Sequence, residues 1–252
     1  MTITNFAILL HNMDKTNYLI PQLSIFFPCY NEEKNISNTI NKAIPIIKQI
    51  TPIWEIIIIN DGSKDDTLKV AKSIQKKYGK NIKTINHPQN RGYGAALKSG
   101  LYACNYDWIT FTDSDGQFDF SDIKLLIKKQ KQTNADLTIG FYLDRKVPFY
   151  RKLGSMLWQL AVFFLFGLKV TDIDCGFKLI KKEVINNIDK LEAERGPFIS
   201  SELLIKAKAK GYKIVETGVH HFARLEGQAT GAKLEVIMAG FSDLIKLKRK
   251  LK

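Results

Sequence analysis

Short apolar runs alternate with amphipathic stretches through the first half of the chain. The runs cover residues 23–28, 54–59, 82–85, 108–112 and 135–141, and each ends in a polar segment. Between them, apolar residues recur three or four positions apart, which is the spacing of a helix packed on one face. This alternation predicts an α/β fold with a mostly parallel sheet flanked by helices.

Two parts of the pattern are less regular. Pro45 lies inside the first predicted helix and is expected to kink or restart it. The second half of the chain mixes element types. Its predicted elements are one or two apolar helices at 149–167, a polar loop at 170–176, a strand at 177–180, helices at 181–188 and 199–210, a strand at 212–219 and an amphipathic helix at 234–251.

The chain has a formal net charge of +13. Such an excess of Lys and Arg favours a polyanionic partner, namely nucleic acid, anionic lipid or a phosphorylated substrate. A hydrophobic share of 45% with 25% charged residues is ordinary for a globular protein and argues against disorder. The sequence contains no basic and aromatic signature of a nucleic-acid-binding module, so no nucleic acid partner is expected.

The cysteines and the apolar runs indicate the cellular compartment of the protein. Cys29, Cys104 and Cys175 are far apart and lack metal-type spacing, so free thiols in a reducing compartment are expected. The apolar run at residues 157–168 is shorter than the roughly 20 residues that span a bilayer. We therefore expect a cytoplasmic protein, with that run and the basic C-terminal helix as candidates for contact with an anionic membrane surface.

Two carboxylates follow the apolar run at residues 108–112. Asp113 and Asp115 come directly after this predicted strand, and the side-chain amide of Gln117 follows them. Open α/β sheets bind ligands at the carboxyl ends of their strands. Hard oxygen ligands in an Asp-x-Asp arrangement suit Mg²⁺ or Mn²⁺, which bridge to phosphates. A polar turn at Asp115-Gly116 is the competing interpretation.

Three further strand ends carry groups suited to binding a nucleotide. After the first strand, Tyr30 is placed to stack on a base or ribose, and Glu32 to accept hydrogen bonds from hydroxyls. After the second strand, Asp61 is placed to accept a base N–H. After the third, the glycines beginning at Gly92 open a helix and allow a ligand to approach closely. An ordinary loop or helix cap competes with each of these interpretations.

Together these segments resemble the family 2 nucleotide-sugar glycosyltransferases, and most closely the branch of dolichyl-phosphate mannose synthase and related polyprenyl-phosphate sugar transferases. Both the order and the spacing match over roughly residues 23–231. Each segment alone is weak, but the combination is specific. The matching segments are FFPCYNEEKNI, IIIINDGSKDDT, NRGYGAALKSG, FTDSDGQFD, VTDIDCGFKLIKKEV and HHFARLEGQATG.

The resemblance implies a glycosyltransferase A-type fold. It has a nucleotide-binding half at residues 23–141 and an acceptor-binding half at 142–231, with a lead-in segment at 1–22 and an amphipathic basic helix at 232–252. The implied site residues are Pro28, Tyr30, Glu32, Asp61, Gly92 and Asp113 for the donor; Asp113, Asp115 and Gln117 for Mg²⁺ or Mn²⁺; Arg145, Arg151 and Arg224 for phosphates; and Asp172 and Asp115 for catalysis.

The implied reaction is an inverting transfer of a sugar from a UDP- or GDP-sugar. The metal and basic groups would neutralise the departing nucleoside diphosphate. A lipid-phosphate acceptor is already ionised near neutral pH and needs no general base. A hydroxyl acceptor does need one, for which Asp172 is the first candidate, before Asp174 and Glu202.

Some features depart from the family pattern or leave alternatives open. Asn60 stands where an acid is common, and the Gln-x-x-Arg-Trp signature of processive synthases is absent, which argues against polymer synthesis. His220 and His221 are adjacent and would face opposite sides of a strand, so they are not expected to bind one metal. A polyprenyl or dolichyl phosphate is the expected acceptor. The alternatives are a glycan hydroxyl in cell-envelope polysaccharide synthesis or, from another class, a nucleic-acid-binding α/β protein.

Overall fold

Seven strands form one sheet in the order β3-β2-β1-β4-β6-β5-β7 in the computed structural model. The model describes residues 18–144, 149–194, 196, 198–223 and 234–251, without the side chains of 149–152 and 234–239. The strands are β1 (Gln22–Cys29), β2 (Ile53–Asp61), β3 (Ile82–His87), β4 (Trp108–Phe111), β5 (Leu137–Tyr142), β6 (Lys178–Lys181) and β7 (Ile214–Val219).

All neighbouring strands are parallel except at β6, which is antiparallel to both β4 and β5. The predicted mostly parallel sheet is therefore confirmed, and the reversal of β6 is an addition that the sequence pattern did not reveal. Because β6 runs the other way, its first residue, Lys178, pairs with Phe111 at the end of β4. The polar loop that precedes β6 thus lies at the carboxyl edge of the parallel strands.

Helices cover both faces of the sheet. Phe26 and Phe27 are neighbours on β1, belong to separate apolar clusters and are both fully buried, which explains why the strands read as continuous apolar runs. The first helix runs without a break from Ile36 to Ile50, so it does not restart at Pro45. The helices are α1 (Ile36–Ile50), α2 (Thr67–Tyr78), α3 (Tyr93–Ala103), α4 (Ile123–Thr133), α5 (Phe149–Phe166), α6 (Lys182–Asn187), α7 (Phe198–Ala209) and α8 (Leu234–Lys250).

Helices α5 and α8 pack against each other. Trp158 of α5 meets Phe241 of α8 with ring centres 5.1 Å apart. Among the described residues, no helix combines the length and the hydropathy needed to cross a bilayer.

A carboxylate network holds the amino edge of the sheet together. Glu55 on β2 accepts hydrogen bonds from Ser24 Oγ at 2.7 Å and from the backbone N–H of Asn105 at 2.7 Å, and its carboxylate lies 3.2 Å from Lys83 Nζ. Burial alone raises the pKa of Glu55, but these donors and the lysine outweigh it and leave the pKa below its ordinary value of 4.5. This network is distant from the predicted site and serves the fold.

Candidate active site

Asp113 lies where β4 meets the loop before β6. The hydroxyl of Tyr93, the first residue of α3, donates to Asp113 Oδ1 at 3.1 Å. On the other side, a Cβ built on Gly176 would stand 2.8 Å from Asp113 Oδ2. Burial, and then the Asp113 charge, raise the pKa of Tyr93 well above its ordinary value, so the hydroxyl remains a donor. Asp113 is therefore held in one orientation from two sides.

Asp115 and Ser114 shape the rest of this turn. Ser114 Oγ donates to the carbonyl of Pro28 at 2.8 Å, which fastens the turn to the end of β1. The carboxylate of Asp115 accepts the backbone N–H of Gln117 at 3.1 Å, and Gly116 takes a φ of 75° that suits glycine. The turn at Asp115-Gly116, which was the competing interpretation, is thus present, and it follows β4 at the carboxyl edge of the sheet.

Gln117 connects the turn to a late part of the chain. Its side-chain Nε2 donates to the carbonyl of Phe222 at 2.9 Å, and the backbone N–H of Phe222 donates to the Gln117 carbonyl at 2.7 Å. Next to it, Phe118 pairs with His221 in a short antiparallel bridge. The amide nitrogen of Gln117 is therefore engaged with this segment, and metal binding by its oxygen stays a prediction.

The loop after β1, where Tyr30 and Glu32 are expected to bind the nucleoside, is hydrogen-bonded to the loop after β2. Asn31, with a φ of 55°, donates its N–H to Ser63 Oγ at 3.0 Å and accepts the N–H of Lys64 at 2.8 Å. Glu32 donates its N–H to Thr67 Oγ1 at 2.8 Å. The neighbouring Tyr30 is half-buried at the end of β1. Hydrogen bonds thus join the loops after β1 and β2, and Ser114 ties the end of β1 to the Asp113–Asp115 turn.

Asp61 is almost fully buried in this conformation, with 3% exposure. Its carboxylate accepts the backbone N–H groups of Arg91 at 3.0 Å and Gly92 at 2.8 Å, and it lies 2.6 Å from His87 Nδ1. The second nitrogen of His87 lies 2.9 Å from Ser99 Oγ. Asp61 therefore fixes the glycine turn before α3, and its predicted contact with a base stays a prediction.

Residues 193 and 194 contact the glycine turn before α3. A Cβ on Gly94 would stand 2.8 Å from the carbonyl oxygen of Ala193, and the N–H of Ala95 donates to the carbonyl of Glu194 at 2.9 Å. Gly92 has a φ of 100°, which lets the backbone turn into α3. The close approach expected of a ligand at these glycines is made at Gly94 by residues 193–194 instead.

The loop before β6 brings Asp172 to the same edge. Asp172 is 5% exposed, and its Oδ1 accepts the N–H of Asp174 at 3.0 Å. Glu202, a weaker candidate for a base, is elsewhere: it is 2% exposed, pairs with Lys206 at 2.6 Å and accepts the N–H groups of residues 192 and 193. Its carboxylate has a structural role, and Asp172 remains the better placed acid.

Two predicted site residues, Arg145 and Arg224, lie outside the described residues. The side chain of Arg151 is also not described, although its backbone lies in the first turn of α5. Of the groups that the structure does describe, no three His, Cys, Asp or Glu side chains are placed to hold a metal. Asp113 and Asp115 alone still fit Mg²⁺ or Mn²⁺, because such ions commonly take one or two carboxylates and complete their shell with phosphate oxygens and water.

Sequence reasoning missed three participants at this edge. These are Tyr93, Gly176 and Lys178, which contact or face Asp113 and the loop before β6. The thiol of Cys175 in this loop is not a nucleophile, because burial raises its pKa to about 12. A lysine inside the short apolar run at residues 177–180 was the one available signal for Lys178.

Comparison with known proteins identifies the family. The model of glycosyl transferase family 2 matches residues 24–189. A dolichyl-phosphate beta-glucosyltransferase of Trichomonas vaginalis is 30% identical over 241 residues, covering 89% of this chain and 72% of that protein. A dodecaprenyl-phosphate galacturonate synthase of Rhizobium johnstonii is 27% identical over 207 residues, covering 82% of this chain and 60% of that protein.

A solved structure gives the fold. Glucosyl-3-phosphoglycerate synthase from Mycobacterium tuberculosis, in complex with Mn²⁺ and UDP-glucose, aligns with a TM-score of 0.68 at 19% identity, over 97% of this chain and 82% of that chain. The predicted glycosyltransferase A-type fold is thereby confirmed. The chain therefore belongs to glycosyl transferase family 2, fits its branch of polyprenyl-phosphate sugar transferases, and is a nucleotide-sugar glycosyltransferase.

Proposed function

We propose that the protein is a metal-dependent, inverting glycosyltransferase that moves a sugar from a UDP- or GDP-sugar to a polyprenyl or dolichyl phosphate. The observation that carries the proposal is the pair Asp113 and Asp115 at the carboxyl edge, with Asp113 oriented by Tyr93 and Gly176. A pair of carboxylates at the carboxyl edge of a parallel sheet suits a metal-bound diphosphate. The similarity to transferases that act on dolichyl and dodecaprenyl phosphate supports the acceptor class.

The chain's own residues divide the work in this proposal. Pro28, Tyr30, Glu32 and Asp61, with Gly92, hold the nucleoside part of the donor. Asp113, Asp115 and Gln117 hold Mg²⁺ or Mn²⁺, which when bound would offset the charge that develops on the leaving diphosphate. The basic residues assigned to phosphates are Arg145, Arg151 and Arg224.

Asp172 has a different role for each kind of acceptor. A lipid phosphate is already an ionised nucleophile, so for that acceptor Asp172 orients the groups around the reacting oxygen. For a glycan hydroxyl, the second candidate acceptor, Asp172 would take the proton of the attacking hydroxyl as a general base. Its position in the loop before β6, which also contains Gly176, suits either role. The remaining alternative, nucleic-acid binding, gains no support from the fold or the family.

An exposed apolar stripe on α5 supports action at a membrane surface. Its residues recur at helical spacing, which puts them on one face of the helix. On the adjoining α8, Ile245 is also exposed, and Lys246, Arg249 and Lys250 follow it. We place this face on the anionic cytoplasmic leaflet, where apolar side chains enter the acyl boundary and lysines meet headgroups. The α5 stripe comprises Leu153, Met156, Leu157, Leu160, Phe163 and Phe164.

Donor turnover tests the proposal directly. The protein is incubated with UDP- and GDP-sugars, with Mn²⁺, Mg²⁺ or EDTA, and with or without polyprenyl phosphate, and nucleoside diphosphate and glycolipid are measured. We expect one donor to yield glycolipid only with metal, and Asp115→Ala to abolish the product. Asp107→Ala, at the opposite edge of the sheet, is the control and keeps activity. Undiminished turnover in EDTA or in Asp115→Ala would refute the metal-dependent function.

A further inference from the structure

A lysine is buried directly beneath the acidic edge. Lys178 is the first residue of β6 and is fully buried. Its ammonium donates to the carbonyls of Ile173, at 3.1 Å, and Cys175, and it lies 5.7 Å from the centre of the Phe111 ring. Lysines are rarely buried to this extent unless they are paired. A buried cation at this place therefore calls for a specific partner.

The acids of the proposed site lie close enough to act on the charge of Lys178. Burial lowers the pKa of Lys178, while the charges of Asp172, Asp174 and Asp113 act on the ammonium in the opposite direction. These three carboxylates thus lie within electrostatic range of a single cation below them. A neutral side chain of the same size would leave their mutual repulsion without this counter-charge.

A second charged residue binds the other side of the same loop. Glu216 on β7 accepts the backbone N–H of Thr171 at 2.6 Å, the hydroxyl of Thr171 at 3.1 Å and the N–H of Asp172 at 3.4 Å. Lys178 and Glu216 both stand opposite Ile139 of β5, so their side chains emerge on one face of the sheet. Lys178 binds carbonyl groups of the loop and Glu216 binds its N–H groups, so the loop is fixed between these two side chains.

We propose that Lys178 is a positioning residue for sugar transfer. It fixes the 172–175 loop so that Asp172 faces the acceptor, and it keeps Gly176 against Asp113. The inference rests on the proposed function, since Asp172 and Asp113 have their roles from it. Donor binding depends mainly on the loops after β1 and β2, so loss of Lys178 affects turnover more than donor affinity.

Steady-state kinetics of Lys178→Met and Lys178→Gln test the inference. We expect kcat for glycolipid formation to fall about 10- to 100-fold, because small misplacements of reacting groups have effects of this size. The KM for the donor should change by less than about 3-fold. Lys206→Met removes another buried ammonium, paired with Glu202 away from the edge. It is the control for lost stability and should keep kcat at temperatures well below its Tm.

A double mutant cycle separates positioning from general destabilisation. If Lys178 acts through Asp172, Lys178→Gln lowers kcat about 10-fold or more in the wild-type background and less than about 2-fold in an Asp172→Asn background. Equal effects in both backgrounds, or a wild-type kcat in folded Lys178 variants, would overturn the inference. So would failure of both variants to fold, because the lysine would then serve the fold alone. A wild-type protein that transfers no sugar would instead refute the proposed function.

Discussion

The Asp113 carboxylate rests against the backbone of Gly176, and a Cβ at position 176 would stand 2.8 Å from its Oδ2. We expect Gly176→Ala to push the carboxylate out of place and to lower kcat/KM about 100-fold, as misplacement near 1 Å does elsewhere. Circular dichroism and Tm should stay close to wild type. Gly154→Ala is the control, since a Cβ there meets nothing within 4 Å. Wild-type activity in Gly176→Ala would mean that Asp113 does not need this orientation.

Tyr93 orients the same carboxylate through a single hydroxyl. Tyr93→Phe removes the 3.1 Å hydrogen bond but keeps the ring. We expect the half-saturating Mn²⁺ concentration to rise by about 10-fold, since groups that orient metal ligands have effects of this order. Titration of donor hydrolysis with Mn²⁺ measures it. Tyr78→Phe, which loses a hydroxyl bonded to Asn41 on the surface, should behave as wild type. Equal metal requirements in the two variants would contradict the role of Tyr93.

The apolar stripe of α5 predicts reversible membrane binding. We expect the triple change Leu157→Ser, Leu160→Ser and Phe164→Ser to lower partitioning onto phosphatidylglycerol-containing vesicles by at least about 10-fold, because each buried apolar side chain contributes about 1.5–3 kcal/mol. Flotation and donor hydrolysis are measured together, and hydrolysis should remain.

Leu125→Ser provides the matched control for this experiment. Leu125 is an exposed leucine on α4, away from the stripe, and its replacement should leave flotation unchanged. Undiminished flotation of the triple variant would exclude α5 as the membrane face. Equal binding to neutral and anionic vesicles would remove the role assigned to the α8 lysines.

Glu55, at the amino edge of the sheet, makes the free energy of unfolding depend on pH. Its folded-state pKa lies below 4.5, so its contribution is present above that value and is lost as the pH falls through the folded-state pKa. Glu55→Gln should therefore lower the free energy of unfolding by about 1–3 kcal/mol at neutral pH. The difference from wild type should shrink in buffers below the folded-state pKa.

Urea unfolding at neutral pH and at a pH below the folded-state pKa of Glu55 measures this effect. Glu183→Gln, on the exposed side of α6, is the control and should show no such pH-dependent difference. A constant difference between wild type and Glu55→Gln at both pH values would contradict the assigned ionisation.

Most of the sheet could be predicted because its signals are local. The run at residues 108–112 is followed at once by Asp113 and Asp115, and the sheet edge brings such endings together. The position of Tyr30 after β1 follows from the same pattern, whereas Asp172 reaches this edge only because β6 is antiparallel. What local patterns report is the type and direction of parallel strands and the residues just after them.

The remaining features depend on contacts between distant parts of the chain. Tyr93 reaches Asp113 across 20 positions, and Gln117 reaches Phe222 across 105. Asp61 has the sequence context of a ligand-binding acid, yet it is buried against His87 and the turn before α3. The direction of β6 was not predictable because a run of only four residues carries no local signal of strand direction.

The strand order also determines when each strand can find its partners during synthesis of the chain. β5 borders only β6 and β7, both of which are synthesised after it. When Tyr142 has just been synthesised, strands β1, β2, β3 and β4 can already pair with one another. At that stage β5 has no strand to pair with, and one edge of β4 is still open. Open edges invite pairing with other chains. Pairing with other chains is therefore most favoured before β6 and β7 have been synthesised.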